Sequence, residues 1–368
     1  MTRFKNMLAA TVAGIALLAQ PIAASACTSL YIKAQDGGYI YGRTMEFGMP
    51  LNSQAIVVPR KVALKGTGPD GKPGTGLHWT GKYGAVGLNG VGLEIIIDGM
   101  NEKGLVGGLL YLPNLAEFQD VSAEEAKNSI ASYEILTYVL TSFATVAEVK
   151  EALPKIKVNR SEQISFKAVV PLHMTLHDAT GASLVVEYIG GKLQMHDNPT
   201  GVLTNAPAFD WHLANLGQFA NLQPNEPAPL KLGGATFAAP STGAGLHGLP
   251  GDSLSPSRFV RAFMFSRALP QPKTSEEGVA TVAHIMNNFD IPPGSVVTQA
   301  GSSTGGGVAG FEITEWTSYG DVKNGRYYFS TYANPAKRVL DLNKVDLDAK
   351  AIAIFPSDQP EAPIALGQ

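Results

Sequence analysis

The sequence predicts an antiparallel α+β fold built as one large domain. Three observations carry that expectation. Short β-rich segments are joined by tight turns, such as "CTSLYIK", the turn "DGG" and "YIYGR". Helical periodicity comes in two blocks set between blocks of strands, where a doubly wound parallel sheet would place a helix after every strand. No repeat and no clean linker divides the chain.

The N-terminus is read separately. Arg3 and Lys5 precede an apolar run from Met7 to Ala19, followed by Pro21 and Ala24-Ser25-Ala26. A charged start, a short apolar stretch and an A-x-A site form a secretory signal peptide. The run is shorter than the roughly 20 residues a membrane-spanning helix needs. Residues 1–26 are therefore expected to be removed, and residues 27–368 to form the domain, with Cys27 as its first residue.

From Cys27 the pattern is a hairpin through the DGG turn to Arg43. The Gly/Pro-rich stretch from Lys65 to Gly76 reads as an exposed loop. "GLEIIID" and "GLVGGLLYL" read as buried strands around the turn "GMNEKG". Helical spacing begins after Ser122 and runs through Ile135, Leu136, Val139 and Leu140. Thr145 and Glu148 form a capping box for a second helix, which ends at Pro154. "LHMTLHD", "SLVVEYI" and "KLQMHD" make a strand meander. Ser255 then caps a helix with Pro256 at its first turn, running through Phe259, Phe263 and Leu269. Another helix covers about Ser275 to Phe289. "FEITEWTSY" and "RYYFSTY" close the chain as a hairpin around "NG".

Composition bounds the function. Loss of Arg3 and Lys5 takes the formal charge from −3 to −5. A mildly acidic surface without a basic stripe argues against nucleic acid as a partner. One cysteine in 368 residues forms no internal disulfide. No second apolar stretch approaches membrane-spanning length, so a soluble periplasmic or secreted protein is expected.

The lone cysteine is the informative residue. A thiol with a pKa near about 8.5 and an α-amine near about 7.7–8.0 meet on one residue only at an N-terminus. There the neutral amine can act as base for the sulfur, and no histidine is needed. The alternatives are a cysteine that merely follows the cut, or a lipid-anchored or inactive binding protein of the same fold. A Leu-like residue is preferred three positions before a lipidated cysteine, and Ala24 stands there.

Further candidates surround it in the pattern. Arg43 lies across the hairpin from Cys27 and would hold a thiolate. Glu46, three residues on, would position the α-ammonium. Asn205 in "GVLTNAPAFDWH" would donate to a tetrahedral oxyanion. His173 and His177 share a strand face, but no third ligand is evident and no metal is expected. "GSSTGGGVAG" lacks the GK[ST] of a phosphate loop and reads as a flexible loop.

The mature N-terminal "CTSLYIKAQDGGYIYGRTMEF", with "DGMNEKGLVGGLLYLP", "GVLTNAPAFDWHLANL", "GLPGDSLSPSRFVR" and "YYFSTYAN", resembles the choloylglycine hydrolase family. That family holds bile salt hydrolases and penicillin V acylases, N-terminal nucleophile hydrolases of linear amide C–N bonds. The resemblance implies a four-layer αββα sandwich that uses no cofactor or metal and acts on a small-molecule amide, such as a conjugated bile salt, penicillin V or an N-acyl homoserine lactone. It implies that Cys27 is the nucleophile and Arg43 its supporting arginine. It also implies that Asn205 and the Tyr111 backbone N–H form the oxyanion hole, and that Arg258 is the second active-site arginine. Glu46 stands where the family usually has Asp. Tyr111 stands where bile salt hydrolases commonly have Asn and penicillin V acylases Tyr. Gln223 to Gly248 resembles a loop that assembles family homotetramers.

Overall fold

In the computed structural model, residues 26–299 and 310–358 are described; the segment read as a signal peptide, save Ala26, lies outside them, as does "GSSTGGGVAG" except Gly310. Two antiparallel sheets lie face to face. The first has five strands, in the order Cys27–Lys33, Tyr39–Phe47, Ile313–Asp321, Arg326–Thr331, Arg338–Asp341. The second has eight, running from Lys192–Asp197 through Ser183–Ile189, Leu172–His177, Val106–Tyr111 and Asp98–Asn101 to Ala85–Leu88, Ala55–Val58 and Ala353–Phe355. Helices α4 (Ser255–Ala268) and α5 (Ser275–Met286) cover the outer face of the five-stranded sheet, with α3 (Phe209–Leu216) packed against α4. Helix α1 (Ile135–Ser142) packs on the other sheet, behind Asp98–Asn101 and Val106–Tyr111. The order is helix, sheet, sheet, helix: the four-layer α+β sandwich.

Strand parity builds these layers. Along Tyr39–Phe47, Tyr41, Arg43, Met45 and Phe47 face the space between the sheets, whereas Ile40, Gly42, Thr44 and Glu46 turn toward the helices. Gly42 shows how close that packing is: a Cβ there would stand 2.2 Å from Cγ1 of Val282 in α5.

Several sequence expectations give way. "GLEIIID" is not a strand; residues 92–97 form a loop, and the strand begins only at Asp98 and takes in Gly99, Met100 and Asn101 of the expected turn. The apolar run has a different use, described below. The Lys65 to Gly76 stretch is a hairpin, Ala63–Thr67 with Pro73–Thr80, and only its tip is a turn. The helix expected after Ser122 starts at Ile135, after two 3-10 turns, Ala126–Asn128 and Ser132–Glu134, that flank a short strand, Ser129–Ala131, paired in parallel with Lys157–Asn159. Ser255 is the first residue of α4 rather than its cap. Thr145 does cap α2 (Val146–Ala152), accepting from the Glu148 N–H at 3.2 Å, while the Glu148 carboxylate receives the Ala144 N–H.

Filling the Gly42 notch tests the layering. Gly42→Ala should cost about 1–3 kcal/mol, because α5 must lift from the sheet, and thermal melting should show a Tm several degrees lower. An unchanged Tm would contradict this packing.

Candidate active site

Cys27 opens the first strand of the five-stranded sheet. Its side chain is buried and turned between the sheets, with Sγ 3.5 Å from an Arg43 guanidinium nitrogen and 3.8 Å from Met45 Sδ. In the described chain its nitrogen still carries Ala26, so that nitrogen stands where the α-amine would be after cleavage. It donates to Asn205 Oδ1 at 2.7 Å.

Asn205 reaches this place through a bridge. Ser29 and Leu203 exchange both backbone hydrogen bonds, at 2.8 and 3.1 Å, in antiparallel sense. Two residues along that register, Asn205 stands opposite Cys27. Its amide orientation is fixed by chemistry. Oδ1 accepts from Arg258 at 2.7 Å, and a guanidinium can only donate. Nδ2 therefore points the other way, giving one hydrogen to the Tyr111 carbonyl at 2.9 Å and leaving the second for another acceptor. The Asn205 carbonyl receives His212 Nε2 at 2.9 Å. Burial pushes the His212 pKa down to about 4, so its ring is neutral and serves as a fixed donor.

Arg258, from α4, approaches from the helical side. It donates to the Cys27 carbonyl at 2.5 Å, to Thr28 Oγ1 at 2.9 Å and to the Ser253 carbonyl at 2.9 Å. Burial lowers its pKa, and the opposing charges of Glu46, Cys27 and Glu312 offset part of that. Glu46 faces this same side. Its carboxylate accepts from Thr314 Oγ1 at 3.2 Å, and burial lifts its pKa to about 8 against the pull of Arg258. Arg43 and Glu46, three apart on one strand, thus serve opposite faces of the sheet.

Arg43 is wholly buried between the sheets. It donates to the Leu109 carbonyl at 2.5 Å, to the Ile97 carbonyl at 3.1 Å and to Asp98 at 3.2 Å. Burial works against its charge, yet the thiol and the Asp98 carboxylate outweigh it and hold its pKa above the ordinary arginine value.

Tyr111 ends the strand Val106–Tyr111. Leu112 N–H donates to Pro171 O on one side, and Leu109 N–H to Ile97 O on the other. By the alternation of an antiparallel ladder, the Tyr111 N–H points to the Ile97 side. There the chain has already left the sheet as the 92–97 loop, so this N–H faces the site rather than a neighbouring strand. The same departure opens a cavity beside Sγ of about 60 Å³, walled by Leu93, Ile95 and Ile97 of the loop and by Met45, Phe47 and Phe166. The Phe47 ring meets Tyr111 and Phe166 edge-on, at 5.5 and 5.7 Å between centroids.

The other five residues singled out in the sequence, Arg43, Glu46, Tyr111, Asn205 and Arg258, are therefore gathered on the two sides of the strand end that carries Cys27. His173 and His177 are not ligands of a common ion. His173 bonds Glu187 at 3.1 Å and the Thr204 carbonyl at 2.9 Å, and His177 bonds Thr175 and Ser183. No group of three metal-binding side chains occurs among the described residues. Sequence reasoning missed Asp98, Trp316 and the 92–97 wall. The available signal for Asp98 was one acidic residue closing the apolar run "LEIII".

The sequence matches the family of linear amide C–N hydrolases, choloylglycine hydrolase family, over residues 27–355. The chain belongs to that family. It is 34% identical over 334 residues to a bile salt hydrolase/transferase of Clostridium perfringens, covering 89% of this chain and 96% of the relative. A crystal structure of conjugated bile acid hydrolase from the same organism superposes with a TM-score of 0.79 at 31% identity, over 93% of this chain and all of that one. Penicillin V acylase from Agrobacterium tumefaciens superposes with a TM-score of 0.72 at 25% identity, over 91% and 94%. This family member is a hydrolase of linear amide C–N bonds acting on a small-molecule amide.

The raised pKa of Glu46 makes a prediction about stability. In the unfolded chain the group releases its proton near the ordinary glutamate value; folded, it holds the proton to about pH 8. Between those values the folded state binds more protons, so stability is full below the lower value and falls as pH rises to about 8. Glu315, raised by burial to about 7, acts in the same direction. Glu46→Gln should flatten the decline in Tm between pH 5 and 8 without removing it, as melts across that range would reveal.

Proposed function

We propose that this chain is an exported amidohydrolase whose nucleophile is Cys27 after cleavage of the Ala26–Cys27 bond. The observation that carries the reading is the convergence on one residue of a thiol held by Arg43, a nitrogen held by Asn205 and a free Nδ2–H beside them. The α-amine takes the thiol proton as sulfur attacks the amide carbonyl. The oxyanion is received by the second Nδ2–H of Asn205 and by the Tyr111 N–H. The proton then passes from the ammonium to the leaving amine, and water cleaves the thioester to the acid and the free thiol. Arg258 keeps Asn205 aimed, and Glu46 adds an opposing charge to it only as its own proton leaves at about pH 8.

The substrate side follows from the cavity. Its walls are apolar, and its volume of about 60 Å³ falls below the roughly 150 Å³ cavity that takes up benzene. A slender chain or a single ring needs some displacement of the 92–97 loop, and a four-ring steroid needs a much larger one. We assign the acyl group to the first class, the phenoxyacetyl group of penicillin V or the chain of an N-acyl homoserine lactone, ahead of conjugated bile salts. Comparison of kcat/KM over these three substrates tests it, and a tenfold preference for the bile salt would overturn it.

Export and assembly belong to the same reading. The first 26 residues have the pattern of a secretory signal, and the secreted or periplasmic protein should begin at Cys27 by intact mass. The Gln223 to Gly248 excursion carries a hairpin, Leu230–Leu232 with Ala235–Phe237, that exposes Leu230, Leu232 and Phe237. These apolar residues suit burial in a homotetramer, whose mass light scattering would measure.

Cys27→Ala should be inactive with an unchanged melting curve. Asn205→Ala should lower kcat by about 10²–10³-fold, the usual loss for one oxyanion donor. Retained turnover in Cys27→Ala would remove the mechanism.

A further inference from the structure

Arg43 holds the thiol, and something must hold Arg43. Asp98 occupies that place. Its side chain is wholly buried at the start of the strand Asp98–Asn101, and it accepts from Arg43 at 3.2 Å, from Tyr41 at 2.8 Å, from Ser318 at 2.6 Å and from Tyr327 at 2.5 Å. Those donors come from three strands of the opposite sheet, so the carboxylate pins the two sheets together at the guanidinium.

Two more features point to the same spot. Gly108 faces it from the neighbouring strand: a Cβ would lie 2.5 Å from Asp98 Oδ2, 2.8 Å from the Tyr41 hydroxyl and 2.9 Å from an Arg43 nitrogen. On the other side, a register shift between Thr314 and Trp316 pairs Thr314 with Glu46 and Trp316 with Met45. This bulge places the two residues on opposite faces of the sheet. The indole consequently covers the guanidinium, with Cζ 5.2 Å from the ring centroid.

We propose that Asp98 is a positioning residue for the amide-cleaving reaction, fixing the Arg43 guanidinium against Cys27 Sγ and offsetting its charge, so that the carboxylate sets the pH at which the thiol becomes nucleophilic. The inference rests on Cys27 being the nucleophile. A bare buried guanidinium would act on the sulfur with its full charge; shared with Asp98, it acts with part of it. The hydroxyls of Tyr41, Tyr327 and Ser318 in turn draw on the carboxylate and adjust that share.

Other groups near the pair are accounted for. Tyr41 and Tyr327 are held well above their usual pKa by burial and by Asp98, and remain neutral donors. His177, beside the Tyr41 ring, is pushed down to about 3 by burial and is neutral. Tyr111 is raised by burial, with the thiol adding to the shift. On the helical side, Arg258 acts with Glu46, Glu312 and Asp252, Arg261 and the neutral His212 lie in its field, and the α-amine of the processed Cys27 is a further titrating group.

The experiment follows the thiol itself. In the processed enzyme, the rate of Cys27 alkylation by iodoacetamide is measured against pH, alongside kcat and KM. Asp98→Asn should move the alkylation midpoint to lower pH by about one unit. It should lower kcat by about tenfold or more, with KM changed less than about threefold. Ser318→Ala and Tyr327→Phe, which leave the charge but remove donors from the carboxylate, should move the midpoint the opposite way by a few tenths of a unit. A merely structural role gives no such change of sign. If Asp98→Asn fails to fold, the two hydroxyl variants decide. Midpoints equal to wild type in folded variants, or all shifted alike, overturn the proposal. If alkylated enzyme still turns over, the nucleophile reading fails instead, so the two failures are distinguishable.

Discussion

Cys27 has to serve two layers of the protein at once, and its position at the very end of a strand makes that possible. In the middle of the strand, a side chain faces one side of the sheet while the backbone is committed to its neighbours. At the end, sulfur turns inward to Arg43 and the carbonyl outward to Arg258, while the nitrogen meets Asn205 in the plane of the sheet. Each buried arginine requires a full set of acceptors, since an unsatisfied guanidinium in this interior would cost several kcal/mol. Asp98, Ile97 and Leu109 meet that need on the inner side; on the outer, Ser253, Asn205 and Cys27 supply the acceptors, and Glu46 adds a charge only as its proton leaves at about pH 8.

The cavity beside Sγ depends on the same end-of-strand logic. The strand Asp98–Asn101 is short, and the chain before it swings out of the sheet. Had it continued as a strand through Ile95 and Ile97, the Tyr111 N–H would be spent in the ladder and the cavity beside Sγ would be closed. The interruption releases the donor and lines the space with the apolar residues that would otherwise have been core. One departure from regular structure thus leaves the Tyr111 N–H outside the ladder and lines the cavity beside Sγ, the two features on which the proposed oxyanion donor and acyl wall rest.

Much of this was legible because the signals were local. Alternation and turn residues located both N-terminal strands, the meander from Leu172 to Asp197 and the closing hairpin, since one buried face per strand leaves a period of two in the sequence. The six candidate residues were singled out through motifs that resemble a family, with the chemistry of an N-terminal thiol beside them. What failed depended on tertiary context. "GLEIIID" has the composition of a core strand, and only the neighbouring Tyr111 and the pocket explain why it is a wall. Asp98 has no local mark of its importance beyond its apolar neighbours; its four donors lie 55 or more residues away in the chain. The three-residue spacing of Arg43 and Glu46 suggested a common site, and parity places them on opposite faces of one sheet.

That parity also separates the roles of charge. On the inner side Arg43 keeps its proton at any physiological pH, and its partner carboxylate is saturated with donors, so the setting around the sulfur is fixed. On the outer side the acid near Arg258 is Glu46, whose burial brings its titration to about pH 8. As Glu46 loses its proton, Arg258 gains a competing anion beside the carbonyl of Cys27 and the amide of Asn205 that it holds. The pH sensitivity of the framework is therefore concentrated on the side that holds the Cys27 nitrogen and the Asn205 amide. Strand parity, not side-chain length, keeps that carboxylate off the sulfur's side; the extra methylene relative to aspartate extends it to Thr314 within the field of Arg258.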